Sequence, residues 1–362
     1  MKNESLETLI KNLIPKKASQ FLPLIWGTPI DPTPDFIYPD ELTPLRPGKG
    51  KNGVKMNPQY VVIHDTGMTN PEDNGVGLSR YIHAQASSPT GRVASWHFSV
   101  DDHDCFQHVP TDEQAWHAGD GRQEYGATYF HEGNQVHCIG GGNKTGIGIE
   151  SCINPGNDYF LTVMRLARVT AQLLNEYDLG LDRIKQHYDF SGKNCPNVIR
   201  ATNGLWDSFL QATAVEYALL AVSKQTQASW KIDPQGIILP NGVVKTVLQD
   251  RMVHLELTLT IDGKSQIYQY DTLVAGLSEE NRIERTRKGL LSSLPQVVTG
   301  PIMLPSFDKE SQVTITWESS HQSILATDGT YHAPHTPQII TLSANLKTKS
   351  ITKKILFDIE VR

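Results

Sequence analysis

Cysteine is scarce in this chain: Cys105, Cys138, Cys152 and Cys195 are the four present among 362 residues. Four cysteines in so long a chain cannot form the framework of a disulfide-stapled scaffold. Long apolar runs are missing too, and none approaches the ~18 residues that a membrane span needs. Positive charge is not in excess. Lys and Arg number 33 against 39 Asp and Glu, for a net charge of -6, which argues against a protein built mainly to grip nucleic acid. Apolar residues are plentiful enough, at 38%, to bury a core and exclude disorder throughout. At roughly 100–200 residues per domain the length suggests two or three domains.

Histidine is unevenly placed. His64, His83, His97, His103, His108, His117, His131, His137 and His187 all fall between Tyr60 and Leu210, as do the four cysteines, so metal chemistry becomes a live idea for this stretch. Residues 59–211 also hold 18 acidic against 10 basic residues, a net -8, which makes the stretch more acidic than the whole chain.

The N-terminus reads as a short amphipathic helix over 5–14, ended before Pro15. A segment dense in Pro, Gly and charge follows, so residues 1–57 are expected to form a helix plus an extension. Next, YVVI at 60–63 is an apolar, β-branched run of the kind buried on both faces of a sheet. ASWHFSV at 94–100 and TGIGIESC at 145–152 are further strand candidates. Between 158 and 179, Phe160, Met164, Ala167, Ala171 and Leu174 recur at helical spacing, with Asp158 or Asn157 as cap and Gly180 as stop. A weaker helix is expected over 77–86. Strands with intervening helices predict an α/β domain, a central mixed β-sheet flanked by helices, over 58–212.

The last third is different, with β-type runs and the turn pairs Asn241-Gly242 and Asp328-Gly329. Trp230–Leu259 aligns without a gap onto Trp317–Leu346, an internal repeat. The expectation is two all-β, immunoglobulin-like sandwich modules, a partial one over 225–275 and a fuller one over 279–362, with 279–291 as a helix linking the repeats and one irregular β domain as the alternative.

Three residues stand out for metal binding. His64 ends the first strand in VVIHDTG, while His187 and Cys195 flank the loop in HYDFSGKNC. Two imidazoles and a thiolate suit zinc and leave a fourth position for water or substrate. Spacing alone leaves the same residues readable as packed or solvated side chains. Lys193, two residues before Cys195, can place a cation beside such a metal, where it would stabilise an oxyanion; it also reads as a solvated loop lysine. Glu150 ends the GIGIE strand and can move a proton between water and a leaving amine, or sit in a salt bridge.

The motifs VVIHDTG, ASWHFSVDD, QHVPTDEQAWHAGDG, TGIGIE and HYDFSGKNCP occur in this order between Tyr60 and Ile199. In that order they resemble the type 2 N-acetylmuramoyl-L-alanine amidases, zinc-dependent hydrolases of bacterial peptidoglycan related to the peptidoglycan-recognition proteins. The resemblance implies Zn²⁺ on His64, His187 and Cys195, Glu150 as general acid/base and Lys193 as the oxyanion cation. It further implies that Trp96, Trp116, His117 and Asn143 lie in segments lining the substrate groove. Trp96 departs from the phage-lysozyme branch, which has tyrosine before the histidine of this motif. Tryptophan cannot transfer a proton, so that role falls to Glu150. Relatives that only recognise peptidoglycan lose the cysteine ligand, and Cys195 is present. His97 and His108 read as buried packing residues, and Cys152 as a small buried apolar residue. Cys105 and Cys138 read as free thiols, with a pairing left open.

VTITWESS, ILATDGTY, IITLSANL and FDIEV near the C-terminus resemble bacterial immunoglobulin-like repeats. A cell-wall polymer is the expected partner of these modules, with a passive spacer as the alternative. The rival readings for the whole chain are a non-catalytic peptidoglycan-binding protein, a host autolysin and a structural surface protein. No signal peptide is seen, because Glu4 and Glu7 sit where a positive region is expected. That places the chain in the cytoplasm until holin-type release as an endolysin, with secretion as the alternative.

Overall fold

Helix α1 (Leu6–Lys11) is the first element, capped by Ser5, whose hydroxyl accepts from the Thr8 amide. The computed structural model describes residues 5–24, 27, 29–118, 129–132, 135–138, 141–223 and 225–362. The chain forms two compact units, one of Met1–Lys245 with Met252–Val274, the other of Thr246–Arg251 with Ala275–Arg362.

The first unit is built on a six-stranded mixed sheet. Its strands are β1 (Thr33–Pro34), β2 (Tyr60–Asp65), β3 (Phe98–Val100), β4 (Cys105–Gln107), β5 (Gly146–Ser151) and β6 (Ile184–Gln186), in the order β1-β4-β3-β5-β2-β6. β3 and β4 run antiparallel, while β2, β3, β5 and β6 pair in parallel. All six residues of β2 are buried, as expected of a parallel strand covered on both faces.

The faces divide by the strand period of two. Val61, Ile63, Ile147 and Ile149 point into a core closed by α3 (Tyr159–Glu176) and α4 (Leu205–Val222). Phe160, Met164, Ala167, Ala171 and Leu174, the apolar stripe of α3, are all buried, and Asp158 caps the helix by accepting from the Leu161 amide at 3.1 Å. Tyr60 and Val62 face the other way, onto Ala118 and Phe190. His64 and Glu150 share the parity of Tyr60 and Val62, which puts both on the face away from α3. On that side α2 (Gly75–Ala86) packs Leu78, Ile82 and Ala86 with Trp96 and Cys152.

The segment before residue 57 is part of this structure. Ile37 and Leu45 are fully buried among the α2 side chains. Arg46, 1% exposed, ion-pairs with Glu113 and donates from Nε to the Ile37 carbonyl at 3.1 Å. A buried charge pair of this kind resists removal, because either partner alone would be left uncompensated.

A three-stranded sheet, β7 (Thr226–Asp233), β8 (Arg251–Ile261) and β9 (Lys264–Val274), also contributes to the first unit. These strands lie within the stretch read from the sequence as a partial module, and residues 16–22 add to them through the bridges Lys17↔Leu273 and Phe21↔Val243.

The second unit is a five-stranded sheet, β10 (Val297–Val298), β11 (Phe307–Asp308), β12 (Val313–Ser319), β13 (Gln338–Lys347) and β14 (Thr352–Val361), in the order β10-β14-β13-β12-β11. Its core joins Val313, Ile315, Ile340, Leu342, Leu346, Ile359 and Val361 to Ile283 and Leu290 of α5 (Glu279–Ser293). In the immunoglobulin-like unit the apolar face of this sheet is covered by α5 and by the loop carrying Leu325 and Tyr331. Among the described residues no helix is long and apolar enough to cross a membrane.

Candidate metal centre and its groove

His64, His187 and Cys195 converge although 123 and 131 positions separate His64 from the other two. His64 comes from the end of β2, His187 opens a short helix after β6, and Cys195 follows the loop after that helix. All three are buried, and their donor atoms lie within 4.8 Å of one another. His64 Nδ1 is 3.1 Å from His187 Nδ1 and 3.7 Å from Cys195 Sγ. A tetrahedral zinc, with bonds of about 2.0 Å to nitrogen and about 2.3 Å to sulfur, sets its ligand atoms about 3.3–3.6 Å apart. The donor set and spacing therefore fit zinc.

A chain of hydrogen bonds decides which His64 nitrogen can serve. His117 Nε2 lies 3.1 Å from the Gly146 carbonyl, which can only accept, so this nitrogen carries the proton. His117 Nδ1 is then an acceptor and takes the bond from His64 Nε2–H at 3.0 Å. That leaves His64 Nδ1 as the lone pair aimed at His187 and Cys195. Outer partners of this type orient a metal-binding imidazole and make it more basic. Burial first, then the neighbouring His187 and His117, hold the His64 pKa well below its ordinary value, so it stays neutral. Burial likewise pushes the Cys195 thiol up to about 12 without metal, so binding a cation must release its proton.

The glycines of β5 make room for this arrangement. A Cβ on Gly148 would stand 2.7 Å from the His117 ring, and one on Gly146 would stand 2.6 Å from Val62 Cγ2. The alternation in GIGIE is thus isoleucine toward α3 and glycine under His117, ending at Glu150.

Glu150 sits opposite His64 in the parallel register, with Oε1 3.9 Å from His64 Nδ1. Its Oε2 is buried without a hydrogen-bond partner. Burial raises its carboxyl to about 8, Asp65 adds to the rise, and Lys193 and Arg92 oppose it. Lys193 is exposed at the rim. Together with Glu150, His187, Trp96, Trp116 and His117 it lines a cavity of about 1190 Å³.

The other residues singled out from the sequence are placed as follows. Trp96 is 8% exposed and donates from Nε1 to Ser99 Oγ at 2.8 Å. Asn143 Oδ1 accepts from the His117 and Ala118 amides, each at 2.7 Å, and Asn143 is outside the cavity lining. His97 is buried, donating from Nε2 to the Glu113 carbonyl and accepting at Nδ1 from the Gly148 amide. His108 is fully buried and pairs with Asp35 at 2.9 Å. Cys105, Cys152 and Cys195 are free and buried; the Cys138 side chain lies outside the described residues, and with it the pairing left open for Cys105.

Sequence reading missed the contribution of α2, whose Tyr81, Gln85, Leu78 and Ile82 line one wall with Arg92 beyond its end. Tyr81 and Gln85 are four apart on one helix face, which is the signal that was available.

Residues 54–198 match the family described as N-acetylmuramoyl-L-alanine amidase, and residues 292–362 match the atrophied bacterial Ig domain. The N-acetylmuramoyl-L-alanine amidase CwlA of Bacillus subtilis is 33% identical over 212 residues, covering 54% of this chain and 69% of that protein. The chain belongs to the N-acetylmuramoyl-L-alanine amidase family. The B. subtilis amidases XlyA and CwlH are 33% and 32% identical, over 43% and 53% of this chain. The chain spans 44% of XlyA and 64% of CwlH, less than two thirds of each. A solved structure of the XlyA catalytic domain aligns over 51% of this chain and 99% of that chain, at 30% identity and a TM-score of 0.40. His64, Glu150, His187, Lys193 and Cys195 all fall inside the matched amidase segment.

Proposed function

We propose that this chain is a zinc-dependent peptidoglycan hydrolase that cleaves the amide between the lactyl group of N-acetylmuramic acid and L-alanine of the stem peptide. The observation that carries the reading is the meeting of His64, His187 and Cys195 beside Glu150 at the floor of an open cavity. A zinc ion held by the three side chains would supply Lewis acidity to the scissile carbonyl and to the attacking water.

The chain's own groups do the rest. Glu150 takes a proton from the attacking water and delivers it to the departing alanine nitrogen as the C–N bond breaks. One water is consumed, giving a carboxylate on the sugar side and a free amine on the peptide side. The raised affinity of Glu150 for a proton, caused by burial, suits a group that must both accept and return one. Lys193 at the rim stabilises the oxyanion formed from the carbonyl. Trp116 and Trp96 offer apolar surface to the sugar and lactyl groups, while Arg92 and Gln85 meet the polar peptide.

The site of action is the bacterial cell wall. The immunoglobulin-like units serve as attachment to a wall polymer, since a second contact raises the local concentration of enzyme at an insoluble substrate. Dye release from labelled walls tests the catalytic reading. Release that stops with a chelator and returns with zinc is expected, while wall binding without release would make the chain a binding protein.

A further inference from the structure

The internal repeat extends further than the sequence alignment shows, and it reaches the N-terminus. Trp230 pairs with Leu257 between β7 and β8, and Trp317 pairs with Ala344 between β12 and β13, so both positions shift by 87. The isolated bridges Ile238↔Val244 and Leu325↔Tyr331 obey the same shift. So do the ring pairs Trp230–Tyr270 at 6.0 Å and Trp317–Phe357 at 5.9 Å.

The second unit needs more than these strands. Its sheet is completed by β10 alongside β14, and by the Ile302 amide, which donates to the Gly329 carbonyl at 3.0 Å. Both parts recur around β7–β9, supplied from far away in the chain. Lys17 bridges in parallel to Leu273 as Val297 does to Glu360. The Leu273 amide donates to the Lys16 carbonyl as that of Glu360 does to Gln296. The Leu22 amide donates to the Gly242 carbonyl at 2.9 Å, the counterpart of Ile302 and Gly329. Gly242 and Gly329 share a φ of +90° and +89°, and a Cβ on either would collide with the Leu22 or Ile302 carbonyl. Residues 16, 17 and 22 thus correspond to 296, 297 and 302, a constant shift of 280. Applied to α1, that shift lands on residues 286–291, inside α5, and matches Ile10 to Leu290, both buried.

We propose that residues 5–24, 225–245 and 252–274 form a second complete immunoglobulin-like module, which carries the amidase domain as an insertion in one of its loops. The insertion point is visible. Thr226 Oγ1 donates to the Gly27 carbonyl at 2.6 Å, so the chain leaves and re-enters at neighbouring positions. The equivalent strands β11 and β12 of the second unit are joined by the short turn 309–312. The module abuts the domain it carries, since Phe21 stacks on Phe160 at 4.8 Å and Gln211 donates to the Leu13 carbonyl at 2.8 Å. The amidase domain is therefore tethered at both ends, and the chain has two such modules where family comparison covers one.

Hydrogen exchange on the full-length protein tests this with matched substitutions. Gly242→Ala should speed exchange at 16–22 and 251–274 by about tenfold or more, with a smaller effect at 60–65 and 146–151 because the new methyl also meets Phe160, and with 338–361 unchanged. Gly329→Ala should do the same to 297–302 and 338–361 alone. Leu22→Ala is the milder second variant, expected to act on 237–274. Loss of protection in 60–65 and 146–151 with 251–274 still protected would make the N-terminal segment part of the amidase domain and overturn the proposal.

Discussion

His117 Nδ1 lies 3.0 Å from His64 Nε2, so the imidazole nearest the metal-binding cluster is held by a second histidine bonded in turn to the Gly146 carbonyl. This bond fixes the tautomer of His64. It ties metal affinity to a residue that the family resemblance connects with the substrate groove.

His117→Ala should therefore weaken zinc binding by about 10–100-fold, as loss of an outer partner does. Competition with a chromogenic chelator measures it. Unchanged zinc affinity with a raised KM would assign His117 to substrate contact alone.

Gly148→Ala should destabilise the fold by about 1–3 kcal/mol, the usual cost of overpacking, because the new methyl meets the His117 ring. Urea unfolding gives the value, and zinc affinity should fall in the same variant. A variant as stable as the parent, with normal zinc affinity, would show that His117 can move aside freely.

Glu150→Gln keeps the shape of the side chain and removes its proton transfer. It should retain stoichiometric zinc and lose about 10²–10⁴-fold in kcat. Metal analysis with wall-clearing rates checks both halves. Full lytic activity in this variant would remove Glu150 from the mechanism.

Asp35 contributes to the acid side of stability. Burial would raise its carboxyl, yet hydrogen bonds from His108, Ser79 and His83 hold it at about 2, below the ordinary 3.8. A carboxyl held low stabilises the fold at pH above its unfolded value and yields that contribution as pH falls toward 2. Asp35→Asn should accordingly flatten the decline in unfolding free energy between about pH 4 and pH 2. An unaltered acid limb would mean that the His83–Asp35–His108 contacts contribute nothing.

How legible the molecule is from its sequence depends on how local each signal is. The β2 run and the α3 stripe show in their periodicity, and both elements form with the expected faces buried. His64, Glu150, His187 and Cys195 stand in ordered motifs, so they are visible as candidates without knowledge of their distances. The role of His117 is not visible, because its partners come from two strands far off in sequence and a loop histidine carries no periodic mark. The wall supplied by α2 is equally hidden, since lining a cavity and facing solvent leave the same polar pattern. Residues 16–22 show no strand signal of their own because their partners, Gly242 and Leu273, lie more than 200 positions away.

Mass spectrometry of purified peptidoglycan digested by the full-length protein tests the central claim most directly. The account predicts new free amino termini on L-alanine, formed with zinc and absent with chelator. New reducing sugar ends without free alanine termini would contradict it and make the chain a glycosidase.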